Sequence, residues 1–148
     1  MNAPFLLMIV SLLVPAQDAP QTAIKEELQR LQGTWKTLTG EKLGRKVDIK
    51  ELGIDQLVIK GDRMTLRGDG MDKAEFRITI DPSHKPKHMD WRNEKEKESL
   101  PVIYAIEGKK LTMCFPMLKS EPIPKPHRPQ SFETKDKPLG MIIAERTE

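Results

Sequence analysis

The sequence predicts an all-β domain, a closed antiparallel sheet of about eight short strands preceded by one short helix. Three observations lead to this prediction. Apolar residues make up 37% of the 148 residues, enough for one core and too few for a protein with several membrane spans. Short alternating apolar and polar stretches follow one another between glycine turns. The chain has no internal repeat and no α/β alternation, which favours a barrel or a sandwich.

The beginning of the chain has the pattern of an export signal. No charged residue precedes Asp18, and nine of the ten residues from 5 to 14 are apolar. A bilayer-spanning helix needs roughly 20 such residues, so this run is too short to span. Ala16 supplies the small residue that precedes a cleavage point. We predict that residues 1–16 are a signal peptide and that 17–148 form one exported domain, periplasmic or extracellular, with no stable membrane span after processing. A signal peptide ordinarily carries Lys or Arg before its apolar run, and this sequence has neither there. The alternative is therefore that the run forms a buried N-terminal strand.

Residues 22–32 have the spacing of a helix. Ile24, Leu28 and Leu31 lie at i, i+4 and i+7, which places them on one face. Thr22 is a suitable N-cap, and Gly33 is a suitable residue to end the helix. The charged residues of the segment are expected on the solvent side: Lys25, Glu26, Glu27 and Arg30.

Strand candidates follow along the rest of the chain, each bounded by turn residues. They are residues 35–39, 56–60, 63–67, 75–80, 87–92, 102–106, 110–115, 130–134 and 141–146. Gly61-Asp62 predicts a two-residue type II′ hairpin, because glycine readily takes the positive φ of the first central position. Residues 107–109 predict another hairpin. Closing such a sheet removes edges that would otherwise invite aggregation.

Two segments are predicted to lie outside the sheet. Residues 92–98 alternate in charge with no apolar face, which is typical of a solvated loop. Residues 116–129 contain five prolines in fourteen positions, which predicts an extended, stiff connection. A loop of this length is a lid, a binding arm or simply a mobile connection.

Gly33-Thr34-Trp35, after a short helix and at the start of the first strand, resembles the opening signature of the lipocalin superfamily. The resemblance implies an eight-stranded barrel that Trp35 plugs at one end, with Arg146 stacking across the indole. Such a cation–π contact contributes about 0.5–2 kcal/mol. The alternative is that Trp35 is an ordinary core aromatic residue and Arg146 a solvated charge.

A closer resemblance is to a lipocalin-like domain family of unknown function that is common in planctomycete bacteria. It rests on an ordered series of residues: Leu31-Gln32-Gly33-Thr34-Trp35, Asp81-Pro82-Ser83, Lys85-Pro86, Asp90, Ile103-Tyr104, Gly108, Leu111-Thr112-Met113-Cys114-Phe115, Arg128-Pro129 and Phe132. The chain lacks the Thr-Asp-Tyr motif of well-studied lipocalins, and its proline-rich segment departs from the closer family. The resemblance implies a lipocalin-like barrel with one short N-terminal helix.

Four potential metal ligands fall within ten positions: Asp81, His84, His88 and Asp90. Two histidines four residues apart share a helix face, but Pro82 and Pro86 make a helix here implausible. A turn in which the carboxylates of Asp81 and Asp90 accept hydrogen bonds from backbone amides would equally account for the presence of these residues. We therefore predict no metal site.

The sequence offers no support for catalysis or nucleic-acid binding. It contains no nucleophile elbow and no glycine-rich phosphate loop. Cys114 lies between apolar neighbours, as a buried and inert thiol does. Seven aromatic residues are too few for a base-stacking surface, and a net charge of +3 with mixed signs is no nucleic-acid footprint. We predict a non-enzymatic protein with no cofactor.

The remaining candidate site is the interior of the barrel. The alternating apolar positions that would face inward are Leu57, Ile59, Met64, Leu66, Phe76, Ile78, Tyr104, Met113 and Phe115. An eight-stranded barrel either holds one small ligand or is filled by its own side chains. The first alternative predicts binding of a small apolar or amphipathic molecule. The second predicts an envelope or extracellular interaction module that contacts an unknown protein partner through its surface loops.

Overall fold

The part of the chain that the structure describes contains two helices and nine strands. The structure is a computed structural model, and it describes residues 21–93, 95, 99–117 and 127–147. The elements are α1 (Gln21–Leu31), β1 (Gly33–Lys42), β2 (Arg45–Val47), α2 (Ile49–Leu52), β3 (Gln56–Lys60), β4 (Arg63–Gly68), β5 (Met71–Asp81), β6 (Lys87–Arg92), β7 (Ser99–Glu107), β8 (Lys110–Pro116) and β9 (Leu139–Arg146).

Eight of the strands form a closed antiparallel barrel. From β3 to β9 each strand pairs with the next, and β1 pairs with both β3 and β9. The β1–β9 pairing runs from Trp35 opposite Arg146 to Lys42 opposite Gly140. The short strand β2 pairs with the far end of β1. The predicted fold class, an eight-stranded antiparallel barrel with one short N-terminal helix, is confirmed.

The prediction of a strand at residues 130–134 is wrong. This segment lies on the outer surface, where Phe132 packs against a cluster of Ile103, Cys114 and Leu139. The Thr134 hydroxyl donates to Glu41 and accepts from the Gly44 amide at 2.9 Å. Side-chain hydrogen bonds and apolar contacts therefore hold the segment, and β9 takes the last place in the barrel. The sequence reading also missed β2 and α2, and β5 begins four residues earlier than predicted.

The two ends of the barrel are different. At the α1 end, the Gln32 side chain accepts from the Gly61 amide at 2.6 Å and donates to the Gly61 carbonyl at 2.9 Å, which joins α1 to the β3–β4 turn. At the α2 end, the connection after α2 passes β4 closely. A Cβ on Gly68 would lie 2.1 Å from the carbonyl oxygen of Gly53, so only glycine fits there.

Some predictions fall wholly or partly outside the described residues. The signal peptide at 1–16 lies outside them, as do most of the loop at 92–98 and the middle of the loop at 116–129. Among the residues that are described, no helix combines the length and apolar character needed to cross a bilayer.

Candidate functional site

Trp35 and Arg146 lie together at the α1 end of the barrel. The Trp35 side chain is fully buried, and its Nε1 donates to the Leu31 carbonyl at 2.9 Å. The Arg146 guanidinium carbon lies 4.7 Å from the centroid of the Trp35 ring, and Arg146 Nη2 donates to the Arg30 carbonyl. Gly33 has a φ of 122°, a conformation that favours glycine just before the tryptophan. The contact that the resemblance implies is therefore present, and it joins the last strand to the helix end.

The prediction that Glu27 lies on the solvent side of α1 is wrong. Glu27 is only 5% exposed and accepts from Lys87 Nζ at 2.6 Å, from Arg30 Nη1 at 3.1 Å and from the Tyr104 hydroxyl at 3.2 Å. The spacing contains the missed signal, because Glu27 lies three residues after Ile24 and four before Leu31, on the same helix face. A helix that covers a barrel end buries a wider arc than three apolar residues suggest.

Tyr104 is the one tyrosine of the chain, so its ionisation can be followed directly. Burial raises the pKa of Tyr104 above its ordinary value of 10.0, and the neighbouring Glu27 carboxylate raises it further. A raised pKa in the folded state gives stability that is present below pH 10 and is lost as the pH rises further.

We therefore expect no phenolate absorbance from the folded protein as the pH passes 10.0, and signal only where the protein unfolds. The Tyr104→Phe variant is the control, since its unfolding free energy should fall less steeply in the same pH range. A folded protein whose tyrosine titrates with an ordinary pKa would contradict the buried contact with Glu27.

The nine predicted interior residues all belong to one cluster. Seven of them are at most 6% exposed: Leu57, Ile59, Met64, Leu66, Ile78, Tyr104 and Met113. Phe76 and Phe115 are half-buried and pack against this cluster from its rim. Of these two rings, that of Phe76 lines a cavity that opens to solvent.

Three aromatic rings line the interior towards the α2 end. The Trp91 ring centroid lies 5.5 Å from that of Phe76 and 5.3 Å from that of Phe115, both in tilted arrangements. A Cβ on Gly140 would lie 2.7 Å from Phe115 Cε2, so the glycine makes room for the ring. Sequence reasoning did not select Trp91. It is 3% exposed and faces inward opposite Ile78.

Beside the first half of β5, the described residues provide no partner strand on the β6 side. This strand pairs with β4 from Met71 to Arg77, whereas its pairing with β6 runs only from Arg77 to Asp81. Within the described residues, positions 71–76 have no ladder partner on the β6 side. An open cavity of about 370 Å³ lies here, lined by Arg63, Lys73, Ala74, Glu75, Phe76, Arg77, Asn93 and Lys95.

The cavity follows the edge of β5. Residues 73–77 all line it, although successive side chains of a strand point to opposite faces. It therefore extends from the outer surface to Ala74 and Phe76, which pack against the core. This opening places charged side chains next to half-buried apolar ones.

A β-bulge shapes this part of β5. Leu66 pairs with Ala74, and the next residue, Arg67, pairs with Asp72, so Lys73 is the extra residue. The Cε of Lys73 comes within 3.4 Å of the position that a Cβ on Gly68 would occupy. Bulges of this kind change the direction in which a side chain points. No alternation in the sequence marks the extra residue, which explains why Lys73 was missed.

The residues considered as metal ligands have other partners. Asp81 accepts from the Ser83 amide at 3.1 Å and from its hydroxyl at 2.6 Å, which holds the turn and lowers the pKa of Asp81. Asp90 does not hold the turn as predicted, because it pairs with Arg128 at 2.6 Å. His84 and His88 stack with their ring centroids 3.8 Å apart. In the described part of the chain, no group of three or more His, Cys, Asp or Glu is arranged to hold a metal ion.

Cys114 is buried on the outer face of β8. It lies in the cluster that Phe132 covers. Burial raises the pKa of the Cys114 thiol to about 11, so the thiol is protonated at neutral pH. A protonated, buried thiol is a poor nucleophile.

Comparison of the chain with family models, with curated proteins and with solved structures found no match.

Proposed function

We propose that this protein is an exported, non-enzymatic, lipocalin-like binding protein that holds one small amphipathic molecule at the opening beside β5. The observation that carries the proposal is the cavity of about 370 Å³ that reaches half-buried Phe76, beside the part of β5 that has no ladder partner on the β6 side among the described residues. Cavities that hold one small molecule have volumes of roughly 300–1,000 Å³, and this cavity falls within that range.

One side of the cavity is apolar and the other is charged, which matches the two ends of an amphipathic molecule. Ala74 and Phe76 offer apolar surface continuous with the core, and each Å² of apolar surface removed from water contributes about 25 cal/mol. The charged residues of β5 and Lys95 lie at the outer rim, where a polar group remains in contact with water. Binding of this kind requires no bond to be made or broken in the ligand.

Titration with Nile red, an uncharged dye whose emission depends on its surroundings, tests this proposal. We expect saturable binding of one dye per folded protein. Phe76→Glu should weaken it at least about tenfold, because a carboxylate in the cavity must be desolvated against the dye. Leu38→Glu is the matched control, since Leu38 is a 44% exposed apolar residue on β1 that does not line this cavity. Equal binding by both variants would overturn the proposal.

The second candidate is an interaction module whose barrel is filled. It is favoured by the burial of seven of the nine predicted interior side chains, none of which is more than 6% exposed. If the folded protein binds no Nile red, this candidate replaces the first, and the function then depends on the surface loops.

A further inference from the structure

We infer that the outer face of β7, β8, β9 and β1 binds a second copy of this chain, in a weak dimer with two-fold symmetry. This inference is independent of ligand binding in the cavity beside β5. It rests on two rows of outward-facing side chains that cross these four strands, a charged row and an uncharged row. The charged row is complementary to itself, and the uncharged row supplies apolar surface for the contact.

The charged row crosses the four strands near the α1 end of the barrel. Its members lie opposite one another in the strand pairs, in the order Glu107, Lys110, Glu145 and Lys36. All four are exposed, and the residues next to them in each strand point into the barrel. Among the described residues, none of the four forms an ion pair. Two carboxylates and two ammonium groups are therefore available to another molecule.

The uncharged row lies next to the charged row, on the side of the α2 end. Its members lie opposite one another in the same strand pairs, in the order Ala105, Thr112, Ile143 and Thr39. Leu38, the extra residue of a bulge in β1, lies beside this row and is 44% exposed. Covering this row and Leu38 removes apolar surface from water, which favours association.

The next part of this face is already covered by the chain itself. The row that follows on the side of the α2 end contains Ile103 and Cys114, and Phe132 packs against both. The segment that carries Phe132 therefore bounds the uncovered surface. The surface left for a second copy consists of the charged row and the uncharged row.

The order of the charges makes this face complementary to itself. A two-fold axis parallel to the strands, between β8 and β9, reverses the strand order in the second copy and keeps each row opposite its counterpart. Glu107 then faces Lys36 of the second copy, and Lys110 faces Glu145 of the second copy. An axis perpendicular to the strands within this row would instead place each charge opposite its own copy. The charges therefore select the parallel axis.

The size of this surface indicates a weak dimer. Four neighbouring strands span about 14 Å from the first strand to the last. The two rows and Leu38 provide nine residues, whereas a stable interface uses about 20–30 residues on each side. The outer face of a barrel is also convex, so β7 and β1 curve away from the second copy. Glu107 and Lys36, whose side chains are long, lie on these two strands, where the gap between the copies is widest.

Sedimentation equilibrium at low ionic strength tests the inference. We expect the unmodified protein to dimerise reversibly, and more weakly at high salt. Lys110→Glu and Glu145→Lys should each weaken self-association at least about tenfold, because like charges then face each other at both contacts between positions 110 and 145. Lys60→Glu is the control, since it makes the same change in net charge at an exposed residue of β3, outside this face. It should dimerise as the unmodified protein does.

A mixture of Lys110→Glu with Glu145→Lys gives the sharpest test. Position 110 of each variant then faces the opposite charge at position 145 of the other. The mixture should therefore dimerise at least about tenfold more tightly than either variant alone. A local effect of one substitution on the fold does not produce this recovery, and urea unfolding verifies that each variant is folded.

Three outcomes would contradict the inference. An unmodified protein that stays monomeric at its highest soluble concentration would overturn it, and so would a mixture that associates no more tightly than its components. Equal weakening by Lys60→Glu would show that net charge, and not this face, controls association. None of these results depends on Nile red binding, which tests the proposed function separately.

Discussion

Replacing Trp35 with alanine is expected to lower the free energy of unfolding by about 3–5 kcal/mol, the cost of removing a large aromatic side chain from a packed core. The Trp35 side chain is fully buried at the end of the barrel. Its removal leaves a cavity beneath α1 and deprives the Leu31 carbonyl of the indole donor 2.9 Å away. It also removes the surface over which the Arg146 guanidinium lies at 4.7 Å.

Urea unfolding measures this effect, and Lys36→Ala is the control. Lys36 is the next residue of the same strand and is exposed, so its replacement should change the unfolding free energy by less than about 0.5 kcal/mol. Arg146→Met should fall between the two, because it removes the cation and keeps the indole in place. A midpoint for Trp35→Ala that equals the midpoint of Lys36→Ala would show that Trp35 does not close the barrel.

The second large effect is expected at Glu27. Glu27→Ala should lower the free energy of unfolding by about 2–4 kcal/mol, because it leaves the buried hydroxyl of Tyr104 and the cation of Lys87 without their acceptor. The loss of one partner of a fully buried ion pair costs more than this. The side chain of Lys87 is 30% exposed and that of Arg30 is 54% exposed, so water compensates part of the loss.

The neighbouring Glu26 provides a matched control on the same helix. Glu26 is exposed, has the same helix propensity as Glu27 and has no hydrogen bond to Tyr104. Glu26→Ala should therefore change the unfolding free energy by less than about 0.5 kcal/mol. Similar losses for the two variants would indicate that the helix, and not the buried contact, accounts for the effect.

Sequence patterns that span only a few neighbouring residues correctly predicted several elements of this fold. The alternation of Phe76, Ile78 and Ile80 predicted a strand whose apolar residues face the core, and Ile78 and Ile80 are buried. The Gly61-Asp62 turn follows from the ability of glycine to take a positive φ, which is 62° at Gly61. The apolar stripe of α1 predicted which face the helix presents to the barrel.

The candidate site was predicted only in part, for a physical reason. The apolar residues of the interior could be selected, because each strand alternates with a period of two. The opening beside β5 could not, since it depends on where the pairing of β5 with β6 ends, at Arg77 and Arg92. The bulge at Lys73 depends likewise on the register between β4 and β5, which no single strand specifies.

By itself the sequence determined the strand-rich fold class, the helix before the first strand and most of the residues that form the core. Hydrophobic periodicity and turn chemistry act over a few residues, so a single chain contains this information. Only the tertiary structure decided that residues 130–134 cover the outer surface, that Glu27 is buried against Tyr104, and that Lys73 reaches the cavity. Each of these features requires contacts between residues distant in the chain, whose geometry is set by closure of the barrel.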